Sequence, residues 1–241
     1  MRVQVVVLTA VAVVLLAGCS RVVDGTASPA SSAVASSAAP TPESGPALVV
    51  DSADALEKAG AVDVTGTMTL AILTGDMTND EPVSDVTLHL QGSDLIGTRT
   101  VDGQLVTMIR TGGVLYERGP AAFWATAGFS ATASRLADAW VRVPDDARAA
   151  GQWDLSVETV VHQMQFWAGS FDAGVSKGTR DGQDVWQLSG QGSVTEVAAT
   201  GPPYPLHIGN PGGEPGDVVL GKFGVLQTIV APPTSVPLPA R

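Results

Sequence analysis

Between Val62 and Ile72 apolar and polar side chains alternate. Val62, Val64, Met68, Leu70 and Ile72 stand against Asp63, Thr65, Thr67 and Thr69. Successive side chains of a strand point to opposite faces, so this period of two predicts a strand with one apolar face. The alternation returns in "VSDVTLHLQ", with Val86, Leu88 and Leu90 on one side and Asp85, Thr87 and His89 on the other. "LIGTRTV" and "QLVTMIR" are joined by Asp102-Gly103, a dipeptide suited to a type I′ turn. "TGG" then leads into "VLYER". Links of two or three residues cannot make parallel crossovers, so these strands form an antiparallel meander.

The period changes in three places. "LVVDSADALEKAG" sets Val49, Ala53, Leu56 and Ala59 on one helical face and ends in Gly60 as a stop. From Ala121 to Ala139, Ala, Gly and Ser surround a few aromatics, and Phe129, Ala133 and Leu136 fall on one face of a predicted helix. "SVETVVHQMQFWAG" opens on Ser156 as N-cap with Glu158 in the first turn. Its stripe is Val157, Val160, Val161, Met164 and Trp167 or Ala168. Between the second and third helices "WVRVP" is a short strand stopped by Pro144. After the third, strands resume: "DAGVSKGTR", the turn Asp181-Gly182, "QDVWQLSG", "SVTEVAAT", "YPLHIG", "DVVLGKF" and "LQTIVAPP". The fold class this predicts is α+β: a strongly curved antiparallel sheet of about ten strands, a half-barrel, with about three helices over its concave face. A long sheet of this kind twists and curls, and its apolar side must be covered. One domain over 47–235 accounts for the pattern, and 236–241 is a loose Pro-rich tail.

The N-terminus is different. "MRVQVVVLTAVAVVLLAGCS" has Arg2, an apolar run from Val3 to Leu16, and then Leu16-Ala17-Gly18-Cys19. The run is near the short end for a spanning helix and small residues precede a cleavage point, so 1–18 reads as a signal peptide. The tetrapeptide resembles the lipobox of bacterial lipoproteins, whose Cys carries the acyl anchor. That resemblance makes Cys19 the lipidation site and places the protein, exported, on the outer face of the cell membrane. One acyl chain holds a protein marginally, and each further buried methylene adds about 0.8 kcal/mol, so two chains give a stable anchor. Residues 19–46 are the lipidated Cys and a Ser/Ala/Pro tether without the aromatics or periodicity a core needs. As coil, its span is roughly 30 Å.

Charge and chemistry narrow the function by exclusion. The net charge is −11, or −12 once Arg2 is removed with the leader. That balance argues against nucleic acid, which needs basic patches, and against a polybasic membrane attachment. One Cys makes neither an internal disulfide nor a thiolate metal site. His89, His162 and His207 are scattered without metal spacing. Asp85 and His89 share a strand face but stand roughly 13 Å apart, too far for acid–base coupling. The acids from Asp76 to Asp85 fail the EF-hand pattern at its sixth and twelfth positions, where Glu81 and Thr87 stand. No nucleophile elbow or phosphate-binding Gly loop occurs. We therefore expect no catalytic residues, no metal, no cofactor and no enzymatic activity.

The Ala-rich segment is the informative one. Small side chains facing an apolar sheet leave volume that suits a lipid tail. Equally, Ala is the best helix former and packs close. Composition leaves both open.

"VDGQLVTMIRTGGVLYERGPAAFWATAG", "LADAWVRVP" and the closing "YPLHIG…VAPP" resemble the actinobacterial LppX/LprAFG lipoproteins, part of the wider LolA/LolB-like superfamily. The resemblance covers most of 48–233. It implies a half-barrel with helices over the concave face and an apolar cavity for an acylated lipid or glycolipid. No short motif carries that family's lipid contacts. The expected lining therefore comes from strand and helix phase: Met68, Leu70, Ile72, Val86, Leu88, Leu90, Phe129, Leu136, Met164 and Trp167. The alternative is an accessory lipoprotein that docks an envelope protein partner and fills its interior with its own side chains.

Overall fold

A computed structural model describes residues 41–68, 83–144, 155–190, 193–209 and 216–239. Helix α1 (Gly45–Ala59) starts where the Ser44 hydroxyl accepts the Ala47 N–H at 3.2 Å, with Pro46 in the first turn. It ends at Gly60, whose φ of 67° is left-handed and whose N–H reaches the Leu56 carbonyl at 3.1 Å. The first meander follows: β1 (Ala61–Met68), β2 (Ser84–Gln91), β3 (Asp94–Val101), β4 (Gln104–Thr111) and β5 (Val114–Arg118). Its links are tight because Asp102-Gly103 and Gly112-Gly113 both adopt positive φ.

The segment expected as one helix over 121–139 is broken. It comprises α2 (Ala121–Trp124), a π turn (Ala125–Phe129) and α3 (Ala133–Leu136). Gly128, at φ 93°, interrupts the helical path, and no side chain caps any of these pieces. After β6 (Val141–Val143) comes α4 (Val157–Trp167), capped as expected by Ser156, which accepts from Thr159 N at 3.0 Å. The second meander is β7 (Val175–Arg180), β8 (Gln183–Gly190), β9 (Ser193–Ala198), β10 (Pro205–Gly209) and β11 (Gly216–Gly221).

The two meanders join through β1 and β11. The order is β12-β6-β5-β4-β3-β2-β1-β11-β10-β9-β8-β7, a curved, unclosed sheet of twelve strands. All neighbours are antiparallel except β12 and β6. The α+β class stands, with more strands and more helical pieces than expected.

The C-terminus departs from expectation in two places: "LQTIVAPP" forms no strand, and Val236–Pro237, within the expected tail, pair with a strand. From Gly224 the chain runs as a strap past the ends of β1, β2 and β4. Gly224 N–H donates to Ala61 O at 2.9 Å, Gln227 N–H to Gln91 Oε1 at 2.8 Å, and Thr111 Oγ1 to Ile229 O at 3.5 Å. Then β12 (Val236–Pro237) pairs in parallel with β6, Val236 N–H reaching Trp140 O at 2.9 Å. Prolines, which cannot join a sheet interior, still fit a sheet edge.

One face of the sheet is apolar. Val62, Val64 and Met68 pair across with Leu90, Leu88 and Ser84, and the face continues through Leu95, Val106, Met108 and Leu115. These side chains merge with Leu48 and Leu56 of α1 and Val157, Val160 and Met164 of α4 into one core. The backbone at Gly66, φ 139°, runs so close to β11 that an added Cβ would lie 2.0 Å from Asp217 O. Gly66→Ala is therefore expected to separate β1 from β11 and destabilise by about 2–4 kcal/mol, through strain and overpacking. Urea unfolding checks it.

The opposite face is polar but not bare. His89, expected there, is only 5% exposed and holds Asp63 at 2.7 Å, with Lys222 at 2.8 Å from the same carboxylate. Farther along, Glu196 contacts Arg180 and Gln187, and His207 holds Asp217 at 2.7 Å. Burial alone would raise the carboxyl pKa of Asp63, but hydrogen bonds and charge from Lys222 and His89 outweigh it and hold it below its ordinary value. Glu196 behaves likewise: burial raises it, while Arg180, Gln187 and the His207 charge lower it further. A depressed carboxylate contributes stability that is present above its unfolded pKa, about 3.9–4.3, and lost as pH falls through the folded value. Thermal unfolding followed from pH 6 downward should therefore show a fall below about pH 4. That fall should be shallower in Asp63→Asn/Glu196→Gln.

Candidate functional site

The expected lining residues largely converge. Met68, Val86, Leu88 and Leu90 lie on the apolar sheet face, Phe129 and Leu136 on the broken cover, and Met164 on α4. All seven belong to the same buried cluster. Trp167 does not join them. It is half-buried and meets Phe166 edge-on at 5.2 Å. Ala168, four residues after Met164, takes the last place in the stripe, where the helix tightens into a 3-10 turn over Ala168–Ser170. Leu70, Ile72 and Cys19 lie outside the described residues.

The burial pattern is uneven. Met68 and Leu90 are 0% exposed, Leu136 1% and Leu88 2%, so these side chains are closely enclosed. Phe129 and Met164 are both at 8%, nearer the cover's margin.

The cover itself is organised by three aromatics, Phe123, Trp124 and Phe129, of which helical phase singles out only Phe129. Trp124 is 1% exposed and sits edge-on to Phe123 at 4.9 Å and to Phe129 at 6.3 Å. Ala121, Ala125 and Ala127 pack around the core's edge. The sequence signal was present in "AAFW", but a helix of fixed phase set Phe129 and Leu136 as its face and left Trp124 out. A π turn shifts that phase by inserting a residue into the turn.

Charged residues on the apolar face are the larger surprise. Arg99 faces Val86 and Val106, and Glu117 faces Met108. Their side chains are 11% and 3% exposed, and Arg99 Nη2 reaches Glu117 Oε1 at 3.1 Å. The Arg99 guanidinium also lies 5.8 Å from the Phe123 ring centre. Arg110, 4% exposed, donates to Ser93 O at 2.6 Å and to Leu155 O, which ties the β2–β3 turn to the start of α4. The period of two in "QLVTMIR" predicts that Arg110 shares a face with Val106 and Met108. A charged side chain is ordinarily read as solvent-facing, so that phase went unused.

Two polar atoms in this region, Arg99 Nε and Trp124 Nε1, are buried with no hydrogen-bond partner among the described residues. Such groups are rare in close-packed interiors and each calls for a reason. The site thus combines a one-sided apolar sheet, a cover with no continuous helix, a buried ion pair and an indole donor facing no acceptor.

His162 is exposed on α4, while His89 and His207 are engaged on the opposite sheet face. Among the described residues no three His, Cys, Asp or Glu side chains group into a metal site, and no helix is long and apolar enough to cross a membrane. A scan against protein-family models finds no match to the chain, and a search of curated proteins finds none either.

Proposed function

We propose that the chain is a cell-envelope lipoprotein, anchored through Cys19 to the outer face of the membrane, that binds and carries an acylated lipid or glycolipid. In this reading the curved sheet is a half-barrel, and α1, α4 and the 121–139 segment close its concave side. The acyl chain enters between sheet and cover because its hydration is unfavourable. The observation that carries the reading is the buried Trp124 N–H under a cover broken at Gly128. A buried donor without an acceptor costs about 1–3 kcal/mol. An ester or hydroxyl oxygen on a hydrocarbon tail supplies both the acceptor and the apolar body. The break at Gly128 lets the cover yield where Phe129 and Met164 are least tightly enclosed. The resemblance to the LppX/LprAFG lipoproteins supports the same reading.

A second reading is favoured by the close packing at Met68, Leu88, Leu90 and Leu136. Here the domain is an anchored scaffold that docks an envelope protein and keeps its interior for itself. Native mass spectrometry of the full chain, purified from an actinobacterial host, separates the two. We expect protein carrying one acylated lipid, released on denaturation. Uniformly empty protein would overturn carriage and leave the scaffold. Incorporation of labelled palmitate should be lost in Cys19→Ser.

A further inference from the structure

A hollow lies beside the start of α1. Between the start of that helix, β8 and the loop before β10 is a solvent-open cleft of about 550 Å3. Ala47 and Leu48 from α1, Trp186 from β8 and Pro203 form its apolar walls, and Glu43 and Asp51 contribute carboxylates. Among the described residues no Lys, Arg or His lines it. Both carboxylates are exposed, and neither has an ion-pair partner among the described residues. The Trp186 ring already accommodates a cation, since Lys177 on the neighbouring strand holds its Nζ 5.0 Å from the ring centre.

We propose that this cleft binds an organic ammonium group borne on an apolar body. The volume is that of a small-molecule site. Two carboxylates lining one cleft, with no cation beside them in the lining described, favour a positively charged ligand. The ring beside them adds the attraction of its negative face. Ala47, Leu48 and Pro203 receive the apolar part. An anion meets like charge and a neutral molecule gains only the walls, so charge selects among ligands of equal size. The chemistry is shared by a lipid amine headgroup and by a soluble ammonium compound. No described residue of 121–139 lines this cleft, so empty protein in mass spectrometry leaves this proposal standing.

The test titrates the full chain with benzyltrimethylammonium, benzyl alcohol and benzylsulfonate, followed by the Trp186 indole N–H resonance. We expect the cation to bind at least about tenfold more tightly than either control, and less tightly as salt is raised. Glu43→Gln/Asp51→Asn, at two exposed positions, should remove most of that preference while leaving the unfolding temperature within a degree or two. Dihexanoylphosphatidylcholine below its micelle concentration distinguishes the sources: tighter binding than benzyltrimethylammonium indicates a headgroup, weaker binding a soluble ligand. Benzyl alcohol binding within threefold of the cation, or an unchanged preference in the double variant, would overturn the site.

Discussion

Replacing Glu117 by Ala is expected to be among the most damaging single changes in the domain, at about 3–5 kcal/mol. The carboxylate is nearly sealed on the apolar sheet face and answers Arg99 at 3.1 Å. Its removal takes from the Arg99 guanidinium its buried carboxylate acceptor in a region of low polarity, where the Phe123 ring also lies beside it. For a domain of this size the loss corresponds to a fall in Tm of roughly 10 °C. The companion experiment decides the cause. Arg99→Met/Glu117→Leu removes both charges and fills the space with hydrocarbon, which is often neutral or stabilising. A double variant as unstable as Glu117→Ala would show that the loss comes from shape rather than stranded charge. If the pair instead helps to hold an acylated ligand, the double variant will fold well yet retain less lipid in native mass spectrometry.

Trp124→Ala should cost a similar amount, about 3–5 kcal/mol, for a different reason. The indole is the largest fully buried side chain of the cover and the centre of its aromatic group. Truncation opens a void and forfeits two edge-on ring contacts, each worth about 0.5–1.5 kcal/mol beyond their area. Trp124→Phe is the informative partner. Without a ligand the indole N–H has no acceptor, so Phe keeps most of the packing and loses no hydrogen bond. Its stability should lie within about 1.5 kcal/mol of the parent, the range of a size-matched apolar swap. In the carrier reading its bound lipid should nevertheless decline, because the oxygen acceptor then loses its donor. Chemical denaturation and lipid quantification on the same samples separate the two effects.

The sheet was legible because alternation is a physical necessity wherever one face is buried. Val62 to Met68 and Val86 to Leu90 announced both their strands and their inward face, and Asp102-Gly103 and Asp181-Gly182 announced their turns. What connects distant strands was not written locally. The pairing of β1 with β11 unites residues about 150 positions apart, and only the completed fold selects it. The cover was half legible. Its aromatic content marked it as buried, but a π turn and a left-handed Gly128 altered the phase from which its inner face was read. Buried Arg99, Arg110 and Glu117 escaped because their enclosure depends on partners in other elements. Chain-local patterning carries no record of such compensation.

The strap that ends on β6 has a consequence for how copies of this domain meet. A sheet margin with free amides and carbonyls invites another chain to extend it, which is the usual route to fibrils and swapped dimers. Here the molecule occupies that margin with its own last residues, and Pro237 and Pro239 lack the amide hydrogens an incoming strand would bond. The other margin, β7, is six residues long and carries Lys177 and Arg180. Missing amide hydrogens at one margin and positive charge at the other thus both disfavour the addition of a strand from a neighbouring copy.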